Sequence, residues 1–198
     1  MNRILNRGSN LNLPNILTMF RFLVIPILVV MVSSDRVVVN LIAAVLFLVA
    51  SLTDIVDGYV ARKYNIVTNM GKILDPLADK LMVLIVLIML IPLGRVPAWV
   101  VALIVFRETA VTSLRAVAAA DGIVISASPL GKFKNMFQVI FTLFLIMYHE
   151  FLIPITSTFS FILDFYTSGM ILMWIALFLT LWSGADYFVK FYIKSTSA

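Results

Sequence analysis

Six apolar runs, at residues 15–33, 37–61, 72–91, 97–119, 133–153 and 168–190, take up most of the 198-residue chain. Each comes close to the roughly 20 residues that a helix needs to cross the hydrocarbon of a bilayer. Breakers and charges fill the gaps: Ser33, Ser34, Asp35 and Arg36; Lys63 and Asn65; Pro92, Gly94 and Pro97; Asp121 and Gly122; Pro129 and Gly131. The runs are continuously apolar rather than alternating, which favours helices over a barrel. Hydrophobic residues make up 62% of the chain and charged ones 13%, against about 45–50% and about 25% in soluble domains. That surplus cannot be hidden inside one globule. The sequence therefore predicts a single all-α domain over residues 1–198, a polytopic membrane protein with six transmembrane helices. It excludes a soluble, disordered or nucleic-acid-binding protein, despite a net charge of +5.

The basic residues set the orientation. Arg3, Arg7, Arg62, Lys63, Lys72, Arg115, Lys132, Lys134, Lys190 and Lys194 collect on one side; only Arg36 and Arg95 fall on the other. Ten against two puts both termini in the cytoplasm. Arg21, Lys80 and Arg107 lie inside the expected spans. The stretch before Pro14 reads as an interfacial segment, with Ile4, Leu5, Leu11 and Leu13 dipping into the membrane surface. The first apolar run is too long for a signal-peptide core, so no cleaved targeting segment is expected.

With no cysteine and one histidine, His149, the chain offers neither thiolate nor His-cluster metal sites. It does offer carboxylates where they are expensive. Asp54 and Asp57 stand near the end of the second run, Asp75 and Asp79 near the start of the third. Asp54, Asp57, Gly58, Ala61 and Arg62 follow the spacing of one helix face, and Gly71, Asp75 and Asp79 repeat every four residues. A short turn between the runs makes the helices antiparallel neighbours, so four acids converge at the cytoplasmic boundary. Four unpaired carboxylates repel one another. Two hard divalent ions, Mg²⁺ or Mn²⁺, would neutralise them and could clamp a phosphate between them. Singly, Gly58 and Ala61 also fit close helix packing, and Arg62 also fits a cytoplasmic positive marker. The four acids together are harder to read as structural.

Asp54-Ile-Val-Asp57-Gly58-Tyr-Val-Ala61-Arg62, eight residues, Gly71, three residues, Asp75, three residues, Asp79 resembles the CDP-alcohol phosphatidyltransferase signature at every fixed position. The resemblance implies a six-span bundle, usually a homodimer, in which an alcohol attacks the lipid-side phosphate of a CDP-linked lipid and CMP leaves. It implies that Asp54, Asp57, Asp75 and Asp79 bind two metal ions and that Asp79 is the general base. Gly58, Arg62 and Thr68 would contact the CDP moiety of CDP-diacylglycerol, with Ala61 and Gly71 giving it room.

Three further segments are similar to one bacterial branch of that family, whose acceptor is sn-glycerol 3-phosphate. They are Leu13-Pro14-Asn15-Ile-Leu-Thr18-Met-Phe-Arg21, Arg107-Glu108-Thr-Ala-Val-Thr112-Ser-Leu-Arg115, and the loop from Ile123 to Asn135. The resemblance implies that Asn15 and Thr18 help hold the nucleotide. Arg107, Arg115, Lys132 and Lys134 could form a basic pocket for the phosphate of the acceptor. Arg107 is also open to pairing with Glu108 or with helix backbone, and the lysines to marking a cytoplasmic loop. Inositol phosphate, serine or phosphatidylglycerol as acceptor would keep the same chemistry. A divalent-cation transporter is the reading from another class, but it calls for acids near the midplane with access from both sides. No chemistry is assigned to His149, Glu150 or Asp186.

Overall fold

Pro14 and Pro129 each stand in the first turn of a helix, where the missing N–H would have had no partner. The helices so begun are two of six among the described residues of the computed structural model: α1 (Leu13–Val32), α2 (Val37–Tyr64), α3 (Asn69–Leu90), α4 (Ala98–Ala120), α5 (Pro129–Met147) and α6 (Phe165–Thr196). Two strands, β1 (Glu150–Pro154) and β2 (Ser160–Asp164), form an antiparallel hairpin between α5 and α6. The structure describes residues 13–34, 36–64, 69–120, 129–154 and 160–196, with side chains except at 13–15, 54–64, 69–73, 75, 76, 129, 132, 150–154, 160–163 and 196. The interfacial segment expected before Pro14 lies outside these residues, apart from Leu13, which opens α1.

Short connections turn the chain back on itself. At the end of α3, Gly94 takes a left-handed conformation (φ 68°). The Arg95 N–H bonds the Leu90 carbonyl at 3.1 Å and the Gly94 N–H bonds the Ile91 carbonyl at 2.9 Å. This paired closure satisfies carbonyls that a helix end leaves open. At the start of α6, Asp164 accepts from the Thr167 N–H at 3.1 Å and from the Thr167 hydroxyl. Those two bonds hold its carboxyl below the usual carboxylate range, the hydroxyl bond contributing most.

The hairpin corrects the sequence reading, which carried the fifth helix through residue 153. Helix α5 stops at Met147 because Tyr148 adopts φ 52°, a left-handed conformation costly for an aromatic residue. Its ring packs on Tyr166 at 5.3 Å between centroids and lies 4.5 Å from the Arg95 guanidinium carbon. Arg95 is itself buried and donates to the Ile146 carbonyl at 3.1 Å. Asn40 completes the group: its carboxamide, turned to suit its neighbours, donates to the Ser34 carbonyl at 3.1 Å and accepts from Arg95 at 3.3 Å. His149 stands 3.5 Å from the same carboxamide. Residues from α2, α6, the end of α5 and both inter-helix turns thus meet at one end of the bundle.

Helix α1 packs on α2 and α3, α5 on α6 and α2, and α4 on α6. Val24, Leu28, Phe47, Met82, Phe141 and Met173 fill the centre. Charged and polar side chains also lie inside and large apolar ones outside, against the habit of water-soluble domains. Arg21, Glu108, Lys134 and Gln138 are buried, while Leu23, Val30, Phe106, Phe178 and Trp182 face outward; Val30 is 74% exposed and Lys134 only 1%. By length and composition, residues Phe165–Ser195 are long and apolar enough to cross a membrane, and Ile16–Val32, Val37–Thr53 and Phe133–Met147 are shorter apolar stretches.

Candidate active site

The backbone of α2 is helical through Asp54 and Asp57, and that of α3 through Asp75 and Asp79. Each pair therefore sits about one turn apart on its helix, and α2 and α3 touch. The side chains of Asp54, Asp57 and Asp75 lie outside the described residues, as do those of Asn15, Ala61, Arg62 and Lys132. Thr68 lies wholly outside them; of Gly58 and Gly71 the structure gives the helical backbone alone. Thr18 is buried on the inner side of α1. Asp79 is half-buried and lines a cavity of about 450 Å³. Carboxylate oxygens suit a hard divalent cation, and of the four acids only Asp79 has a described side chain; among the described residues no group of three or more such ligands gathers.

The cavity opens between α2, α3, α4 and α5. Asp79, Lys80, Glu108, Asn135 and Gln138 supply its polar wall, and Leu48, Leu52, Val83, Leu84, Val139 and Ile140 supply apolar surface. A polar head and an apolar body can therefore lie in it together.

In that polar wall, Glu108 gathers three cations. It accepts from Lys134 Nζ and from Arg107 Nη1 at 3.0 Å, and Lys80 Nζ stands 3.9 Å away. Lys80 also donates to the Thr112 hydroxyl at 2.6 Å. Arg107 reaches across to α6, donating to the Thr180 carbonyl at 3.2 Å and to the Ser183 hydroxyl at 2.9 Å. Gly184 leaves the space for it: a Cβ there would stand 3.0 Å from Arg107 Cγ. Three cations share one carboxylate, so this cluster keeps a positive balance beside Asp79.

Of the four basic residues expected to grip a phosphate, the structure brings Arg107 and Lys134 together on Glu108. Arg115 is exposed instead, with its guanidinium carbon 5.8 Å from the Tyr187 ring. Sequence reasoning left Lys80, Thr112, Ser183 and Gln138 without roles; for Glu108 it offered only the pairing with Arg107, which the structure shows together with a bond from Arg107 to helix backbone. Lys80 and Glu108 carried a usable signal, since both are charges within apolar runs; the uncharged residues carried none.

A family model described as CDP-alcohol phosphatidyltransferase matches residues 11–182. The chain belongs to the CDP-alcohol phosphatidyltransferase family. A relative from Bacillus subtilis (strain 168), named CDP-diacylglycerol–glycerol-3-phosphate 3-phosphatidyltransferase, is 41% identical over 191 residues, covering 90% of this chain and 94% of its own. One of the same name from Rickettsia typhi is 40% identical over 177 residues, covering 89% of this chain and 95% of its own. A Mycobacterium tuberculosis protein named probable phosphatidylglycerophosphate synthase is 32% identical over 191 residues, covering 95% of this chain and 85% of its own. For a phosphatidyltransferase, a cavity with an acid and a cationic cluster at one wall and aliphatic side chains at another joins the two kinds of surface its reactants carry.

Proposed function

We propose that this phosphatidyltransferase moves the phosphatidyl group of CDP-diacylglycerol to sn-glycerol 3-phosphate, giving phosphatidylglycerophosphate and CMP. The observation that carries the reading is the Asp79 cavity and its cationic wall, in a chain similar along nearly all its length to relatives named for that reaction. The outward aliphatic surface and inward charges support a protein embedded in a bilayer through its six helices. The excess of basic residues in the turns near the acids supports a cytoplasmic placing of the site and both termini. A homodimer is the assembly that the family resemblance implies.

The chemistry is a displacement at phosphorus. The acceptor hydroxyl oxygen forms a bond to the lipid-side phosphorus, the bond from that phosphorus to the CMP oxygen breaks, and CMP departs with the electron pair. Asp79 takes the hydroxyl proton as the oxygen attacks. Asp54, Asp57, Asp75 and Asp79 would hold two divalent ions, which supply positive charge to the pyrophosphate of the donor when bound. Gly58, Ala61, Arg62, Thr68 and Gly71, with Asn15 and Thr18, form the proposed binding surface for the CDP end. The Glu108 carboxylate holds Arg107 and Lys134 in fixed positions, and with Lys80, Lys132 and Arg115 they give the acceptor phosphate a cationic field.

Release of CMP by the purified protein, given CDP-diacylglycerol and one acceptor at a time, tests the reading. Glycerol 3-phosphate should be used in strong preference to inositol phosphate, serine and phosphatidylglycerol. A preference for any of those three would replace the acceptor.

A further inference from the structure

Gln138 lies in α5 one turn after Lys134 and lines the cavity with Asp79, Lys80, Glu108 and Asn135. It is 6% exposed, and its buried Nε2 has no hydrogen-bond partner among the described residues. Its polar neighbours on the helix are engaged. Lys134 donates to Glu108, and the Thr142 hydroxyl donates to the Gln138 carbonyl at 2.7 Å. A buried amide donor left without an acceptor is costly, and such atoms are few in native proteins. Gln138 lines the cavity beside the reacting carboxylate, and a turn of its carboxamide would offer that donor to a ligand oxygen there.

The character of the donor narrows which oxygen that is. A phosphate draws charged donors, and Lys80 and its neighbours supply them. An uncharged carboxamide suits a hydroxyl, which can accept from the NH₂ while donating elsewhere. Asp79 is committed to the hydroxyl that reacts. Glycerol 3-phosphate carries two hydroxyls on adjacent carbons, and the two must be told apart. We propose that Gln138 binds the hydroxyl that does not react and thereby turns the primary hydroxyl towards Asp79. This rests on the acceptor reading above and adds to it a residue that sets regiochemistry.

The test compares glycerol 3-phosphate with 3-hydroxypropyl phosphate, which lacks the middle hydroxyl, using the full-length protein and its Gln138→Met variant. Met keeps the length of the side chain and removes the donor. The parent should prefer glycerol 3-phosphate. In Gln138→Met, kcat/KM for glycerol 3-phosphate should fall about tenfold, the size of one neutral hydrogen bond. The deoxy acceptor should be used as before, and the KM for CDP-diacylglycerol should not move. Product joined through the secondary hydroxyl should increase. An equal loss on both acceptors, or an unchanged preference, would overturn the assignment of Gln138 alone. A parent that uses the two acceptors equally would overturn it without any variant. A parent inactive with both, yet active with inositol phosphate, would overturn the acceptor reading instead.

Discussion

Glu108 on α4 accepts a hydrogen bond from Lys134 on α5, and both side chains are almost fully buried. Removing one partner of such a pair strands the other, which typically costs about 3–5 kcal/mol. Glu108→Leu and Lys134→Met should therefore each lower the thermal midpoint. The double variant Glu108→Leu with Lys134→Met should recover the part of that loss due to Lys134, while Arg107 and Lys80 still lack their carboxylate. Midpoints of the two single variants and the double one, measured in the same detergent, give the coupling directly.

Arg107 spreads its donors over Glu108, the Thr180 carbonyl and Ser183. A shorter neutral side chain cannot copy that fork. Arg107→Gln should raise the KM for glycerol 3-phosphate while the KM for CDP-diacylglycerol changes little. It should also narrow the gap between glycerol 3-phosphate and plain glycerol as acceptors. A variant that keeps the full preference for the phosphorylated acceptor would leave Arg107 a structural tie between α4 and α6.

Asp79 and the other three acids should separate in their effects. Asp79→Asn should lose turnover by roughly 10²–10⁴-fold, the usual worth of a general base, while still binding CDP-diacylglycerol. Asp57→Asn should lose donor binding as well. Excess chelator should stop CMP release by the parent, and Mg²⁺ or Mn²⁺ should restore it. Turnover that persists in chelator would remove the ions from the reaction.

Acid should loosen the start of α6. Thr167 holds the Asp164 carboxyl below the usual range, so Asp164 binds protons less readily in the folded protein than in the unfolded chain. Its stabilisation is complete above the ordinary carboxylate range and is lost as pH falls through the depressed folded value. Asp164→Asn keeps a good capping side chain but cannot titrate. The thermal midpoint of this variant should fall less between neutral and acid pH than that of the parent.

The helices were legible because length and continuous apolarity mark them. The third run, read as residues 72–91, is Asn69–Leu90 in the structure, and the fourth, read as 97–119, is Ala98–Ala120. The segment around Phe151 was not legible, since a short apolar run suits strand and helix alike. What ends α5 is the backbone angle of Tyr148, a property of its neighbours in space. At the site, Asp79 declared itself as a charge among apolar residues. The joining of Lys80, Glu108 and Lys134 did not, because it depends on how three helices are rotated about their axes. Gln138 is uncharged, so only its burial and its unpaired nitrogen reveal it.

The group around Arg95 closes one end of the bundle. Asn40, Ser34, Ile146, Tyr148 and Tyr166 tie the turns and helix ends to that one guanidinium and to each other. Parting the helices there breaks several buried contacts at once. The Asp79 cavity lies further along the helices, away from that knot. The bundle is thus pinned at one level and hollow at another, with the hollow beside Asp79.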